Sequence, residues 1–357
     1  LLDVIMETHG READSFTLWN EMSSALEAYR EAVRLGFDGR TIEVDLEPYL
    51  RIMKGKISWG IDKAKSFPGE VPPTYFIHEV TNYTKKGTKY KDGNPYINVT
   101  GFKPKPLPAF LEGPVRLMKI LSRDKAKDLA AAVSQSDLFD SELGMYKVNA
   151  PLEEMPHEIG RARAFTPGWL ENESVWMHMS YKYLLEMLKA GLYEEFFTAL
   201  KSHLPPFMDP EIYGRSTLEN SSFIVSSAHP DKNLHGRGFV ARLSGSTAEF
   251  ISMWVLMTAG KHPFDMEDGQ LILNLNPTMP GWLFKQDGTF TFRFLGKCDV
   301  IVHNPSGRDT YEQGMVIKRI QLRNNEETIK ITGATIKSPY AEMARAGKFD
   351  SIDLYYE

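Results

Sequence analysis

Phe250-Ile251-Ser252-Met253-Trp254-Val255-Leu256-Met257 is the most apolar run in the chain, and the sequence changes period on either side of it. The run falls well short of the about 18 apolar residues a bilayer span requires, so it reads as a buried helix over Thr247–Ala259. Beyond Pro263 the apolar residues alternate. Gln270–Leu275, Thr289–Leu295, Asp299–His303, Met315–Leu322, Thr328–Ile336 and Ser351–Tyr356 read as strands, with Asp287-Gly288 as one of the turns between them. Residues 263–357 are therefore expected to form an all-β C-terminal domain, a small sandwich.

Before the run, apolar residues recur at helical spacing. Phe16, Trp19, Met22, Leu26, Tyr29 and Val33 place a helix over Ser15–Leu35, capped by Asp14 or Ser15 and ended by Gly36 and Gly39. Leu46, Leu50, Met53, Ile57 and Ile61 place another over Ile42–Ala64, with Pro48 early enough to be tolerated. Residues 66–106 are punctuated by Pro68, Pro72, Pro73, Gly87, Gly93, Pro95, Pro104 and Pro106 and read as a long loop carrying short strands. Helices resume over Pro108–Leu121 and Asp124–Ser136. Asp137–Thr166 is irregular. A helical hairpin over Ser174–Lys189 and Leu192–Ser202 turns at Gly191 and stops at Pro205-Pro206, and 205–244 is loop-rich. Six or seven amphipathic helices joined by long loops suit half of an α/α toroid. The expected class is mainly α plus a β-domain, divided into 1–262 and 263–357.

Composition excludes several classes. The chain has 357 residues, 42% hydrophobic and 25% charged, which is ordinary for a globular protein. A net charge of −5 argues against binding nucleic-acid phosphates as the main function. The single cysteine, Cys298, excludes an internal disulfide and a cysteine-rich metal site, and fits a reducing, cytoplasmic setting. Leu1-Leu2-Asp3-Val4-Ile5-Met6 has neither an initiator Met nor a basic n-region, so it reads as the interior of a longer polypeptide, of which this is expected to be the C-terminal portion.

Three constellations carry polar chemistry. Thr166-Pro167-Gly168-Trp169-Leu170-Glu171-Asn172-Glu173-Ser174-Val175-Trp176-Met177-His178 joins a loop to a helix N-terminus. Trp169 and Trp176 suit stacking on a sugar ring, Glu171, Asn172 and Glu173 suit its hydroxyls, and His178 suits an anion. The plainer alternative is that Glu173 and Ser174 cap the helix while the tryptophans fill core. His235-Gly236-Arg237-Gly238 and Ser244-Gly245-Ser246 form the second, a phosphate cradle ahead of the last helix or simply its N-cap. Asp3, Glu7, His9, Arg11, Glu12 and Asp14 form the third, a catalytic carboxylate set or a capping, solubilising cluster. The remaining histidines show no metal-ligand spacing, and there is no Gly-x-Ser-x-Gly elbow.

Phe165-Thr166-Pro167-Gly168-Trp169-Leu170-Glu171-Asn172 followed by His178 resembles the Glu-Asn … His segment of the inverting β-glucoside phosphorylases, the cellobiose phosphorylase family. Gly236-Arg237-Gly238 with Ser244-Gly245-Ser246 is similar to the family's Gly-Arg-Gly … Thr-Gly-Ser loop. Gly269-Gln270-Leu271 … Asn276-Pro277-Thr278-Met279-Pro280-Gly281-Trp282 and Asn304-Pro305 resemble parts of its C-terminal β-domain. Within the family the nearest look is to 1,2-β-oligoglucan phosphorylases and to the C-terminal part of cyclic β-1,2-glucan synthases.

That resemblance implies the second half of an (α/α)6 barrel followed by a β-sandwich. It implies phosphorolysis of β-glucosidic bonds to α-glucose 1-phosphate. Asp3 takes the place of the general acid, although Leu1-Leu2 replace the family's flanking Trp-Asn. His178, Ser244, Gly245 and Arg237 would bind phosphate, and Trp169, Trp176, Glu171 and Asn172 the sugars. Inorganic phosphate is the co-substrate, with no other cofactor and no metal. The implied partners are an oligosaccharide, the rest of the polypeptide and, as in many family members, a second copy, with no nucleic acid or membrane. An inverting hydrolase using Glu171 or Glu173 as base, or a non-catalytic carbohydrate-binding piece, are the alternatives.

Overall fold

The structure, a computed structural model, describes residues 14–66, 69–240 and 244–357. It mixes helices with several small sheets. Helix α1 spans Ser15–Val33, and the Asp14 carboxylate caps it by accepting from the Phe16 and Thr17 N–H groups at 3.0 and 3.1 Å. Helix α2 spans Leu46–Lys65, starting after Asp45 and so placing Pro48 within its first turn, where a missing N–H costs nothing. The apolar stripes of both helices are largely exposed: Met22, Leu26, Tyr29, Leu50 and Ile57 all face solvent.

Residues 66–106 depart from the expectation of short strands in a loop. Phe76–Lys89 (β1) and Pro95–Pro106 (β2) form one long antiparallel hairpin, in register from Phe76↔Pro106 to Lys89↔Pro95. Prolines are compatible with it because a two-stranded sheet has only edges, where the absent N–H can face water. Phe16 and Trp19 of α1 meet Phe102 of β2 edge-on, at ring separations of 5.6 and 5.7 Å. Helices α3 (Glu112–Met118) and α4 (Arg123–Ser134) follow, α3 much shorter than its periodicity predicts.

The chain folds into two compact units. One holds everything up to Trp176 together with Phe223–Arg237; the other holds Met177–Ser222 and Gly238–Glu357. The helices Met177–Lys189, Tyr193–His203 and Ser244–Ala259 thus fall in the same unit as the C-terminal strands. In the first unit Val175–Trp176 (β3) pairs antiparallel with Phe223–Ile224 (β4). The second unit contains α5 (Met177–Lys189), α6 (Tyr193–His203) and α7 (Ser244–Ala259). Helix α7 is not fully buried: Met253 and Met257 are covered, whereas Ile251 and Val255 are half exposed.

Its strands are β5 (Phe264–Glu267), β6 (Gln270–Leu273), β7 (Thr289–Phe294), β8 (Cys298–His303), β9 (Ile317–Arg323), β10 (Thr328–Thr332), β11 (Ile336–Lys337) and β12 (Ser351–Tyr356). They form a five-stranded sheet in the order β7-β8-β12-β9-β10 and a three-stranded sheet in the order β11-β6-β5. Only the β8–β12 pair is parallel. Val300, Val302, Ile320, Leu322, Ile352 and Leu354 line one face of the larger sheet and share a core with Leu273 and Ile336 of the smaller. Strand β5 and the short helix α8 (Tyr340–Arg345) are additions to the expected elements.

Leu354 is fully buried in this core, and Thr291 is exposed on β7. Leu354→Ala should lower the urea-unfolding free energy by about 2–5 kcal/mol, and Thr291→Ala should stay within about 0.5 kcal/mol of the parent. His203 supplies a pH test. Its ring is fully buried, Nδ1 lies 2.7 Å from the Ala199 carbonyl, and burial pushes its pKa down to about 4. The unfolded chain therefore binds the extra proton first. Stability should fall as pH drops from about 6.5 to about 4, by roughly 3 kcal/mol, and this component should be constant above pH 6.5. Urea midpoints measured across that range should show a slope that His203→Gln reduces.

Candidate functional site

The second unit brings two sequence-predicted anion ligands together. Helix α5 starts where the Met177 N–H donates to the Ser222 carbonyl at 3.0 Å, so His178 lies in its first turn. Helix α7 starts at Ser244, three residues earlier than the apolar pattern indicates. Ser244, Gly245 and Ser246 therefore form its first turn rather than a loop ahead of it. Their N–H groups sit where a helix leaves donors without intrahelical acceptors. The His178 imidazole packs on the bare Cα of Gly245: a Cβ there would stand 2.6 Å from Nδ1 and 2.7 Å from Cγ and Cε1. Any side chain at 245 would displace the ring.

Glu249, one turn into α7, was not among the residues the sequence singled out. Its Oε1 lies 3.7 Å from His178 Nε2. Burial and the nearby Lys182 ammonium lower the His178 pKa, and Glu249 opposes them. Glu249 also lines an open groove of about 410 Å³ along α5 and α7, together with Leu185, Ser252, Lys189 and Lys261.

The predicted sugar-binding residues lie on the first unit. Strand pairing sets Trp176 opposite Phe223, and the two rings stack at 6.1 Å and 4°. Trp169 meets the same phenyl ring edge-on at 5.0 Å. Both tryptophans keep part of their surface exposed, so neither simply fills the core. Gly168, at φ +79°, lets the loop lie directly on His229: a Cβ there would stand 2.6 Å from the His229 nitrogen.

The polar residues of this segment divide. Arg161 grips Glu171 through two bonds of 2.7 Å, Nε to Oε2 and Nη2 to Oε1. Asn172 is buried; its Nδ2 donates to the Phe165 carbonyl at 2.7 Å, which makes it a brace for the loop. Glu173 and Ser174 do not cap the helix, because β3 intervenes. The buried Glu173 carboxylate pairs with the buried Lys147 ammonium at 3.1 Å, and its N–H donates to Asn149 Oδ1 at 3.0 Å. The Ser174 hydroxyl donates to the Leu170 carbonyl.

Arg237 is exposed on the first unit, its N–H bound to the Leu234 carbonyl and its carbonyl to the Val225 N–H, both at 3.0 Å. Asp3, with Glu7, His9, Arg11 and Glu12, lies outside the described residues. Of Ser244 the backbone alone is described. Burial pushes the Cys298 thiol up to about 11, away from thiolate chemistry at neutral pH. Among the described residues no group of His, Cys, Asp and Glu gathers as a metal site, and no helix is long and apolar enough to cross a membrane. No family model matches the chain, and no curated protein matches it.

The Lys147–Glu173 pair yields a test of how the tryptophan loop is held. Lys147→Met leaves a buried carboxylate uncompensated and should cost about 3–5 kcal/mol. Adding Glu173→Gln removes that charge, so the double variant should unfold closer to the parent than Lys147→Met alone in chemical denaturation.

Proposed function

We propose that the chain belongs to an inverting glycoside phosphorylase acting on β-glucosidic bonds, with β-1,2-linked glucooligosaccharides as the substrate class. The observation that carries this reading is the packing of His178 on Gly245 in the first turn of α7, which gathers an imidazole and helix-terminal N–H groups at one place. Phosphate bound there meets donors and a favourable helix dipole. Ser244 and Arg237 enter the assignment only through the family resemblance, Arg237 from the first unit. Trp169 and Trp176 offer partly exposed aromatic surface for sugar rings, with Glu171 on the same segment.

The chemistry needs one acid and one nucleophile. A phosphate oxygen attacks the anomeric carbon as the glycosidic C–O bond breaks. Asp3 gives its proton to the departing oxygen. The anomer inverts and α-glucose 1-phosphate results. An inverting hydrolase must add a carboxylate base to activate water. Phosphate is already anionic and needs none. Glu171 and Glu173, the carboxylates nearest in sequence to the tryptophans, are both committed to ion pairs, with Arg161 and Lys147. This arrangement speaks against these two carboxylates as the base of a hydrolase.

The finer architecture belongs to the same proposal: the helices as the second half of an (α/α)6 toroid and the C-terminal strands as a β-sandwich. The exposed apolar stripes of α1 and α2 and the half-exposed Ile251 and Val255 of α7 suit helices that neighbours cover in a complete ring.

Incubating the enzyme that contains this chain with β-1,2-glucooligosaccharides should release glucose 1-phosphate only when inorganic phosphate is present. Asp3→Asn should lower the rate about 10²–10⁴-fold. His178→Ala and Gly245→Ala should raise the KM for phosphate more than the KM for the oligosaccharide. Sugar release without phosphate would identify a hydrolase instead, and no turnover on β-1,2, β-1,3 or β-1,4 glucans would remove the activity.

A further inference from the structure

We infer that Glu249 is a specificity-determining residue that makes the His178 site select an oxyanion still carrying a proton, hydrogen phosphate, over one that carries none, such as sulfate. The inference rests on the phosphate assignment of the preceding subsection. Its own ground is the geometry of two side chains from different helices.

His178 Nε2 and Glu249 Oε1 stand 3.7 Å apart, with 32% and 19% of their side-chain surfaces exposed. That separation exceeds a hydrogen bond. A group that accepts from one and donates to the other can close it. Imidazole Nε2–H is a donor, and an ionised carboxylate only accepts. A protonated phosphate presents both functions on adjacent oxygens: one P–O⁻ for His178 and one P–OH for Glu249. Sulfate is fully deprotonated at neutral pH and offers the carboxylate nothing but repulsion. Specificity of this kind comes from a clash built against the wrong ligand as much as from a contact to the right one.

The charges around the pair agree. Lys182 on α5 is the cation facing His178, Glu249 is the carboxylate facing it from α7, and Gly245 covers the ring with backbone alone. Burial and Lys182 favour the neutral imidazole. The Glu249 carboxylate repels a doubly charged anion more than a singly charged one, while Lys182 attracts either.

The test titrates sodium phosphate and sodium sulfate into the parent chain and into Glu249→Gln, at constant ionic strength and at pH 6.0 and 7.5. The readout is the His178 imidazole resonance, assigned by its loss in His178→Gln, with circular dichroism to verify folding. The parent should shift with phosphate and prefer it to sulfate by about tenfold or more, a difference of about 1.4 kcal/mol. Glu249→Gln should bind both anions within about threefold of each other, and Glu249→Asp should keep the preference. Phosphate binding with equal discrimination in parent and Glu249→Gln would overturn the role of Glu249 and leave the phosphate site standing. If neither anion moves the His178 resonance in any folded variant, the phosphate site itself fails and this inference with it. If Glu249→Gln does not fold, Glu249→Asp decides: the preference for phosphate over sulfate must survive there.

Discussion

Irregular backbone from Phe165 to Ser174 runs through the first unit, where neither helix nor sheet pairs its polar groups. Buried N–H and C=O groups must find partners, and here side chains provide several of them beside the turn and inter-segment backbone bonds. Asn172 donates to the Phe165 carbonyl, Ser174 to the Leu170 carbonyl, and Asn149 accepts from the Glu173 N–H. Lys147 then neutralises the carboxylate that this arrangement buries. Leu170 and Glu173 hold positive φ angles of 51° and 57°, conformations an L-residue adopts only at a cost of about 1–2 kcal/mol. The anchored side chains offset that cost. The positions of Trp169 and Trp176 follow from this brace.

The second unit solves a different problem. Its sheets satisfy their own backbone groups, so its core is almost purely apolar, built from alternate residues of β8, β9 and β12. Two histidines of its helical part differ in cover. His203 is kept neutral by burial with Nδ1 turned to a helix carbonyl, and His178 is only partly covered. The contrast separates structure from function. A fully enclosed imidazole serves packing, whereas a partly covered one, resting on a glycine and faced by a carboxylate from another helix, keeps an edge available to a ligand. In the proposed phosphate site, the carboxylate would give selectivity a direction, since it welcomes only a ligand that brings a proton.

Much of this was legible in the chain itself. The 3.6 period placed α1, α2, α5 and α6, and the alternation after Pro263 placed most C-terminal strands, because those periods report which face of an element is buried. Trp169, Trp176, His178 and Gly245 stood out by residue type and spacing. The β1–β2 hairpin did not, because its prolines read as breakers unless one knows that both strands are edges. The early start of α7 was hidden as well: Ser244-Gly245-Ser246 favours caps and turns locally, and the position of the helix overrides that preference.

Sequence alone thus determined the mixed α and β character, most elements and the residue types proposed for anion and sugar binding. Tertiary structure decided which of those residues meet. That Asn172 and Glu173 brace a loop, that Glu171 is held by Arg161, and that Glu249 faces His178 depend on distances between segments remote in the chain. Period and propensity describe the faces of single elements. Contacts between elements arise only when packing fixes their relative positions, and no local pattern encodes that.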